Sequence, residues 1–226
     1  ISHLDFIRLF ERAARRSGLP LAFSEGYSPA PKIAYGWPLP VGMSGLAEYV
    51  DVELTGRVPP EKATASLNQA LPIGIEVRDA SYVSPHGPSL MAEFNTAAYA
   101  IHLSSLGRDL GQWKAVAAGL LKRSTLKVIR ERGGPGSGGS QGGEVKRKIV
   151  DARPLIKRLE VREVCADGRV VIFVELENGD KGSGRPDEVA GLLIRELQGS
   201  WSDEPQAAAR ELPGFSAVRL GLRRDG

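Results

Sequence analysis

Twice in each half of this chain the apolar residues change their spacing, from the 3.6-residue period of a helix to the two-residue period of a strand. That repeated change is the tightest constraint on what the chain can fold into. In the first half, Phe6, Leu9, Phe10 and Ala13 share one helical face. Ser2 with Asp5 forms a capping-box variant at its start, Gly18 and Pro20 end it, and the pattern predicts a helix over 3–17. Strands are predicted over 19–24, 32–39 and 48–54, the last from the alternation of Tyr49, Asp51 and Glu53 with Val50, Val52 and Leu54. A glycine- and proline-rich loop fills 25–31. A helix over 59–71 opens with two prolines, and a strand over 75–83 closes the unit.

After a linker at 84–88 a similar order begins again. A strand over 94–103 precedes a helix over 107–122 with Leu110, Trp113, Val116, Ala117 and Leu120 inward. Strands over 126–131 and 145–150 flank 133–143, where seven of eleven residues are glycine and the chain is too poor in apolar groups to fold alone. A hairpin over 161–165 and 169–177 turns at Asp167-Gly168, and a helix over 185–198 and a strand over 215–222 complete the pattern. The economical architecture is α+β: two tandem ferredoxin-like (split βαβ) units with antiparallel sheets. They are expected at 1–84 and 90–226, the second with a flexible insertion at 133–143. Because the chain starts at Ile1 and not Met, the first strand of unit one is expected in a segment that is missing here.

Composition narrows the function classes. At 226 residues, 42% hydrophobic and 25% charged, the chain is globular, and its longest apolar runs fall far short of the ~20 residues of a membrane span. Cys165 is the single cysteine; a buried thiol in the reducing cytoplasm is the expected reading. His3, His86 and His102 have no metal-ligand spacing, and no cysteine cluster is present. Gly-x-Ser-x-Gly, His-Glu-x-x-His and a strand-borne GxGxxG are all absent. Neither a metal nor a cofactor is expected.

Charge points to a partner instead. From Lys122 to Arg162 the chain carries twelve Lys or Arg against four Asp or Glu, a local excess of +8 in a chain of net +3. A polyanion such as structured RNA is the first partner to consider, beside the plainer reading of a solvated surface. Lys146, Arg147 and Lys148 lead into Asp151-Ala-Arg153-Pro154. In extended backbone Asp151 and Arg153 point to one side, so both could enter one cleft; alternatively, Asp151 caps a helix continuing through Leu155, Ile156 and Leu159. On the first helix Arg8, Arg12 and Arg15 share a face with Arg16 beside them, a stripe that suits a phosphate backbone or ordinary pairing with Glu11. In the loop Ser24-Glu-Gly-Tyr-Ser-Pro-Ala-Pro-Lys32, Tyr27 could stack on a base and Lys32 hold a phosphate, although a plain turn also explains the composition.

Ile1-Ser-His-Leu-Asp5, Glu11-Arg-Ala-Ala-Arg-Arg16, Leu19-Pro20, Ser24-Glu-Gly-Tyr-Ser-Pro29, Pro31-Lys32, Pro38-Leu-Pro-Val-Gly42 and Glu48-Tyr-Val-Asp51 together resemble the bacterial radical-SAM-linked protein family, a family of unknown function. Val150-Asp-Ala-Arg-Pro-Leu-Ile156 and Gly184-Arg-Pro-Asp-Glu-Val189 resemble its later motifs. Members are encoded beside, or fused to, cobalamin-binding radical-SAM proteins, often near genes for RNA cleavage and ribosomal proteins. The chain lacks the Cys-x-x-x-Cys-x-x-Cys that holds a radical-SAM cluster, so the resemblance implies an accessory partner that binds RNA for a radical-SAM protein in tRNA or rRNA modification or processing. Two departures stand out: the family's basic first strand is absent, and Ala30 stands where a basic or polar residue is common. A second resemblance, confined to Asp151 and Arg153, is to the archaeal-type tRNA pseudouridine synthases, which implies Asp151 as a catalytic residue. A protein-binding adaptor with no RNA contact is the third expectation.

Overall fold

The protein is described from a computed structural model for residues 1–132, 146–179, 182–201, 204, 206–207 and 212–224. The glycine-rich segment 133–143 lies outside these residues. In chain order the elements are α1 His3–Arg16, β1 Ile33–Tyr35, β2 Ser44–Gly45, β3 Val50–Val52, α2 Pro60–Ala70, the single turn α3 Leu90–Glu93, β4 Thr96–Ser104, α4 Leu110–Lys122, β5 Lys127–Arg132, β6 Lys146–Asp151, a 3₁₀ turn Arg153–Leu155, β7 Ile156–Val164, β8 Arg169–Gly179, β9 Gly182–Ser183, α5 Pro186–Gln198, β10 Gln206–Ala207 and β11 Ser216–Arg223. The fold is α+β. Two compact units divide it: Ile1–Gly42 with Glu48–Glu93, and Met43–Ala47 with Phe94–Gly226.

In the first unit, α1 begins where the sequence places it. Ser2 Oγ accepts from the Asp5 amide at 3.2 Å and donates to the Asp5 carboxylate at 2.7 Å. That hydroxyl bond, helped by Arg8, holds Asp5 below the usual carboxylate range. Phe10, Ala13 and Ala14 are buried on the inward face, and Phe10 and Ala14 form a core with Leu21 and Leu67. Tyr35 stands edge-on to Phe6 and Phe10, both at 6.1 Å between centroids. Burial, with Glu11 adding to it, pushes the Tyr35 hydroxyl up to about 12.

The sheet of this unit is a two-stranded antiparallel pair, β1 with β3, in the register Ile33↔Val52 and Tyr35↔Val50. Two expected strands do not form ladders. Residues 19–24 make only the isolated bridges Leu21↔Leu54 and Phe23↔Pro31, because Pro20 and Pro31 have no N–H to donate and the Leu21 amide turns back to Leu19 O at 2.8 Å. Residues 75–83 run without a strand partner. The Val77 amide donates to Asn68 Oδ1 at 2.7 Å and the Val77 carbonyl accepts from Asn68 Nδ2 at 2.9 Å. One side-chain amide thus takes the pair of bonds that a neighbouring strand would have supplied.

In the second unit the principal elements run β4-α4-β7-β8-α5-β11. The strands lie in the order β11-β4-β8-β7, with each of these neighbours antiparallel and β2 added in parallel beside β11. One sheet face is dry. Ile101 and Leu103 of β4 and Val170, Ile172, Val174 and Leu176 of β8 are fully buried, as are Trp113 and Leu120 of α4 and Leu192 and Leu193 of α5. The buried Trp113 indole donates to Ser105 O at 3.1 Å. β5 and β6, inserted between α4 and β7, form a separate three-stranded sheet of order β10-β5-β6 with β10, which follows α5 in the chain. Cys165 lies one residue beyond β7 and is half-buried, where a buried thiol was expected, because Val164 opposes the dry-face Val170 and alternation turns the next residue to the other side. Among the described residues no helix is long and apolar enough to cross a membrane.

Candidate nucleic-acid interface

The basic run occupies β6, the edge strand of the β10-β5-β6 sheet, so alternation decides where each side chain goes. Antiparallel pairing sets Arg147 opposite Glu131, Lys148 opposite Arg130 and Asp151 opposite Lys127. Arg147 meets Glu131 at 3.1 Å. Like charges directly across a ladder repel, yet Arg130 is already neutralised: its Nε and Nη2 reach Glu188 Oε1 and Oε2 at 2.7 and 2.8 Å, and Nη2 also donates to Ser183 O at 2.8 Å. This bidentate pair ties β5 to the first turn of α5. Lys146, Arg147 and Lys148 are all exposed, and among the described residues Lys146 and Lys148 have no ion pair.

Asp151 and Arg153 occupy different surroundings from those expected. No α-helix follows Asp151, and it is not the N-cap, because Ala152 precedes a three-residue 3₁₀ turn and β7 starts at Ile156. Asp151 Oδ1 instead accepts from the Leu126 amide at 2.7 Å and from the Arg153 amide at 3.0 Å, pinning the start of β5 and forming an Asx-type turn. Nor does extended backbone carry both side chains to one side: Ala152 is right-handed helical in conformation. The Arg153 guanidinium turns toward the Leu121 and Ile156 carbonyls at 3.3 and 3.5 Å.

The first unit holds its own set. Arg8 lies 4.0 Å from Asp5; Arg12 is exposed and has no partner among the described residues. Arg15 lies over the Phe23 ring at 4.9 Å and donates to Pro29 O at 3.4 Å, while Arg16 donates to Ala70 O at 2.8 Å at the C-terminal end of α2. Lys32 pairs with Glu53 at 3.1 Å. The loop 24–30 is closed on itself, with the Ser24 amide donating to Ala30 O at 2.9 Å and the Ala30 amide donating to Ser24 Oγ at 3.1 Å. Tyr27 stands fully exposed within it. Arg15 therefore braces this loop through Phe23 and Pro29, and Arg12 is left as the cation of the stripe without a partner among the described residues.

One constellation escaped the sequence reading. Pairing of β7 with β8 sets Glu160 opposite Phe173 and Arg158 opposite Glu175, with Arg162 at a register shift between Val161 and Glu163. Three guanidiniums surround the Phe173 ring, from Arg158 at 5.4 Å, Arg162 at 5.0 Å and Arg223 at 5.9 Å. Arg158, Glu160 and Arg162 alternate along β7, and the Asp167-Gly168 turn fixes the hairpin; together these carried the signal. What they lacked was Arg223, which arrives from a strand two places across the sheet. Among the described residues no group of three His, Cys, Asp or Glu could hold a metal ion.

No curated protein matches this sequence. The model of the family described as "Uncharacterized protein conserved in bacteria (DUF2344)" matches residues 1–186, which include α1, the loop around Tyr27, the basic strand β6 and the Phe173 hairpin. The chain belongs to that family of bacterial proteins of uncharacterised function.

Proposed function

We propose that this protein is an accessory RNA-binding protein that serves a radical-SAM enzyme in tRNA or rRNA modification or processing. The observation that carries the RNA reading is β6: three successive basic residues on an exposed edge strand, two of them unpaired among the described residues, beside a neighbour whose charge is already neutralised by Glu188. Cations so placed suit phosphates, which replace condensed counterions. The partner assignment rests on the motif resemblance and on the missing cluster cysteines. An enzymatic role for Asp151 finds less support, since its Oδ1 serves two backbone amides and Arg153 is turned to carbonyls.

An edge strand also carries Lys and Arg simply to prevent strand-to-strand aggregation, and RNA affinity separates the two roles. Lys146→Gln, Arg147→Gln and Lys148→Gln combined should weaken filter binding of cellular tRNA and flatten its log-log salt dependence by about 2 to 3, at ~0.7 to 0.9 per lost phosphate contact. An unchanged slope, or absence of RNA binding at low salt with tight binding to an acidic protein, refutes the reading. Co-purification with a co-expressed radical-SAM protein tests the partner.

A further inference from the structure

Helices cover one face of the β11-β4-β8-β7 sheet; the opposite face carries an unusual surface. Cross-strand register places Ala100 beside Phe173, His102 beside Val171 and Ala98 beside Glu175 on that face. Ala98 and Ala100 are small, so nothing long on β4 obstructs Arg223 as it reaches from β11 to the Glu175 carboxylate. Arg158 and Arg162 approach from the other side, and both pair with Glu160. The three arginine side chains are 49, 50 and 53% exposed, whereas the Phe173 residue beneath them is 8% exposed. Three guanidiniums therefore share two carboxylates above one aromatic floor, and their arms are open to solvent.

Unpaired RNA is recognised by splayed bases that stack on aromatic rings and guanidinium planes while cations follow the backbone. Phe173 and His102 lie on the two central strands at diagonal positions, a separation of about 7–8 Å between backbones that long or aromatic side chains span. We propose that this arginine-covered sheet face binds two consecutive unpaired nucleotides of RNA. Phe173 and His102 are the stacking rings, and Arg158, Arg162 and Arg223 exchange their carboxylates for phosphate oxygens. The inference rests on the RNA-binding reading above and adds to it the single-stranded character of the ligand and a second contact surface, distinct from β6.

The probe is a single-stranded oligouridylate, compared with an RNA duplex of equal length. Phe173→Leu preserves apolar bulk but removes the ring; it should weaken oligouridylate binding about tenfold or more, leave the salt slope unchanged and scarcely affect the duplex. Arg158→Gln, Arg162→Gln and Arg223→Gln combined should lower the single-strand slope by about 2, at ~0.7 per contact. Photocrosslinking of a bromouridine-substituted strand should mark peptides containing Phe173 or His102. His102→Ala and the arginine triple variant decide the matter should Phe173→Leu fail to fold. Wild-type binding that survives both, or equal preference for duplex, overturns the platform while leaving the β6 reading intact. Failure of the wild type to bind any RNA at low salt overturns both.

Discussion

Truncating Asp151 isolates what its carboxylate does. Oδ1 serves two amides, and one of them belongs to Leu126, a fully buried residue. In Asp151→Ala the Leu126 amide loses its acceptor where water has no ready access, at about 1–3 kcal/mol; the more accessible Arg153 amide adds ~1 kcal/mol. The expected loss is about 2–4 kcal/mol. Asp151→Asn keeps an acceptor oxygen at the same place and gives up only the charge-assisted part of each bond, so it should cost ~1 kcal/mol or less. For a chain of this size each kcal/mol moves the melting temperature by about 2–4 °C. The Ala variant should melt roughly 5–15 °C lower in the transition of the second unit, and the Asn variant within a few degrees of wild type. Hydrogen exchange at the Leu126 amide supplies the local readout and should accelerate in the Ala variant alone. A melting temperature for Asp151→Ala within ~1 °C of wild type would refute the reasoning. So would mass-spectrometric detection of uridines modified by the wild-type protein but not by Asp151→Asn, since loss of the charge would then matter to chemistry and not to the turn.

Glu188→Ala leaves the Arg130 guanidinium, 16% exposed, without its bidentate partner, and should cost about 3–5 kcal/mol in chemical denaturation; a loss under ~1 kcal/mol would show that the pair does not anchor β5 to α5. Tyr35 should ionise near pH 12 in ultraviolet difference titration, against ~10 for exposed tyrosine. Its folded pKa is raised above the unfolded one, so its stabilising effect is complete below pH ~10 and is lost as pH rises from there through about 12. Tyr35→Phe should flatten that alkaline decline, and an unchanged decline would contradict the assignment.

The helix starts and the second-unit hairpin were legible because their causes are local. Ser2 with Asp5, the paired prolines before α2 and the Asp167-Gly168 turn each act within a few residues, and α1, α2 and the β7–β8 hairpin stand where those signals put them. Residues 75–83 have the same strand-like pattern, yet strand formation needs a partner ladder, and Asn68 took the backbone groups of Val77 first. Sequence spacing was equally unable to separate a helix cap from the turn at Asp151, because the deciding acceptor role is toward Leu126, 25 residues away.

Sequence alone determined the α+β composition of elements, the amphipathic face of α1 and the presence of a concentrated basic run, since period and charge are properties of neighbouring residues. Tertiary structure decided which cations remain available. Arg15 braces a loop, Arg16 binds a helix end, Arg130 meets Glu188 and Lys32 meets Glu53, whereas Lys146, Lys148 and Arg12 have no partner among the described residues. It also gathered Arg158, Arg162 and Arg223 around Phe173. The physical reason is the same in both cases: a side chain's charge is written in the sequence, but its counterion is chosen by whichever distant strand or helix the fold brings within ~4 Å.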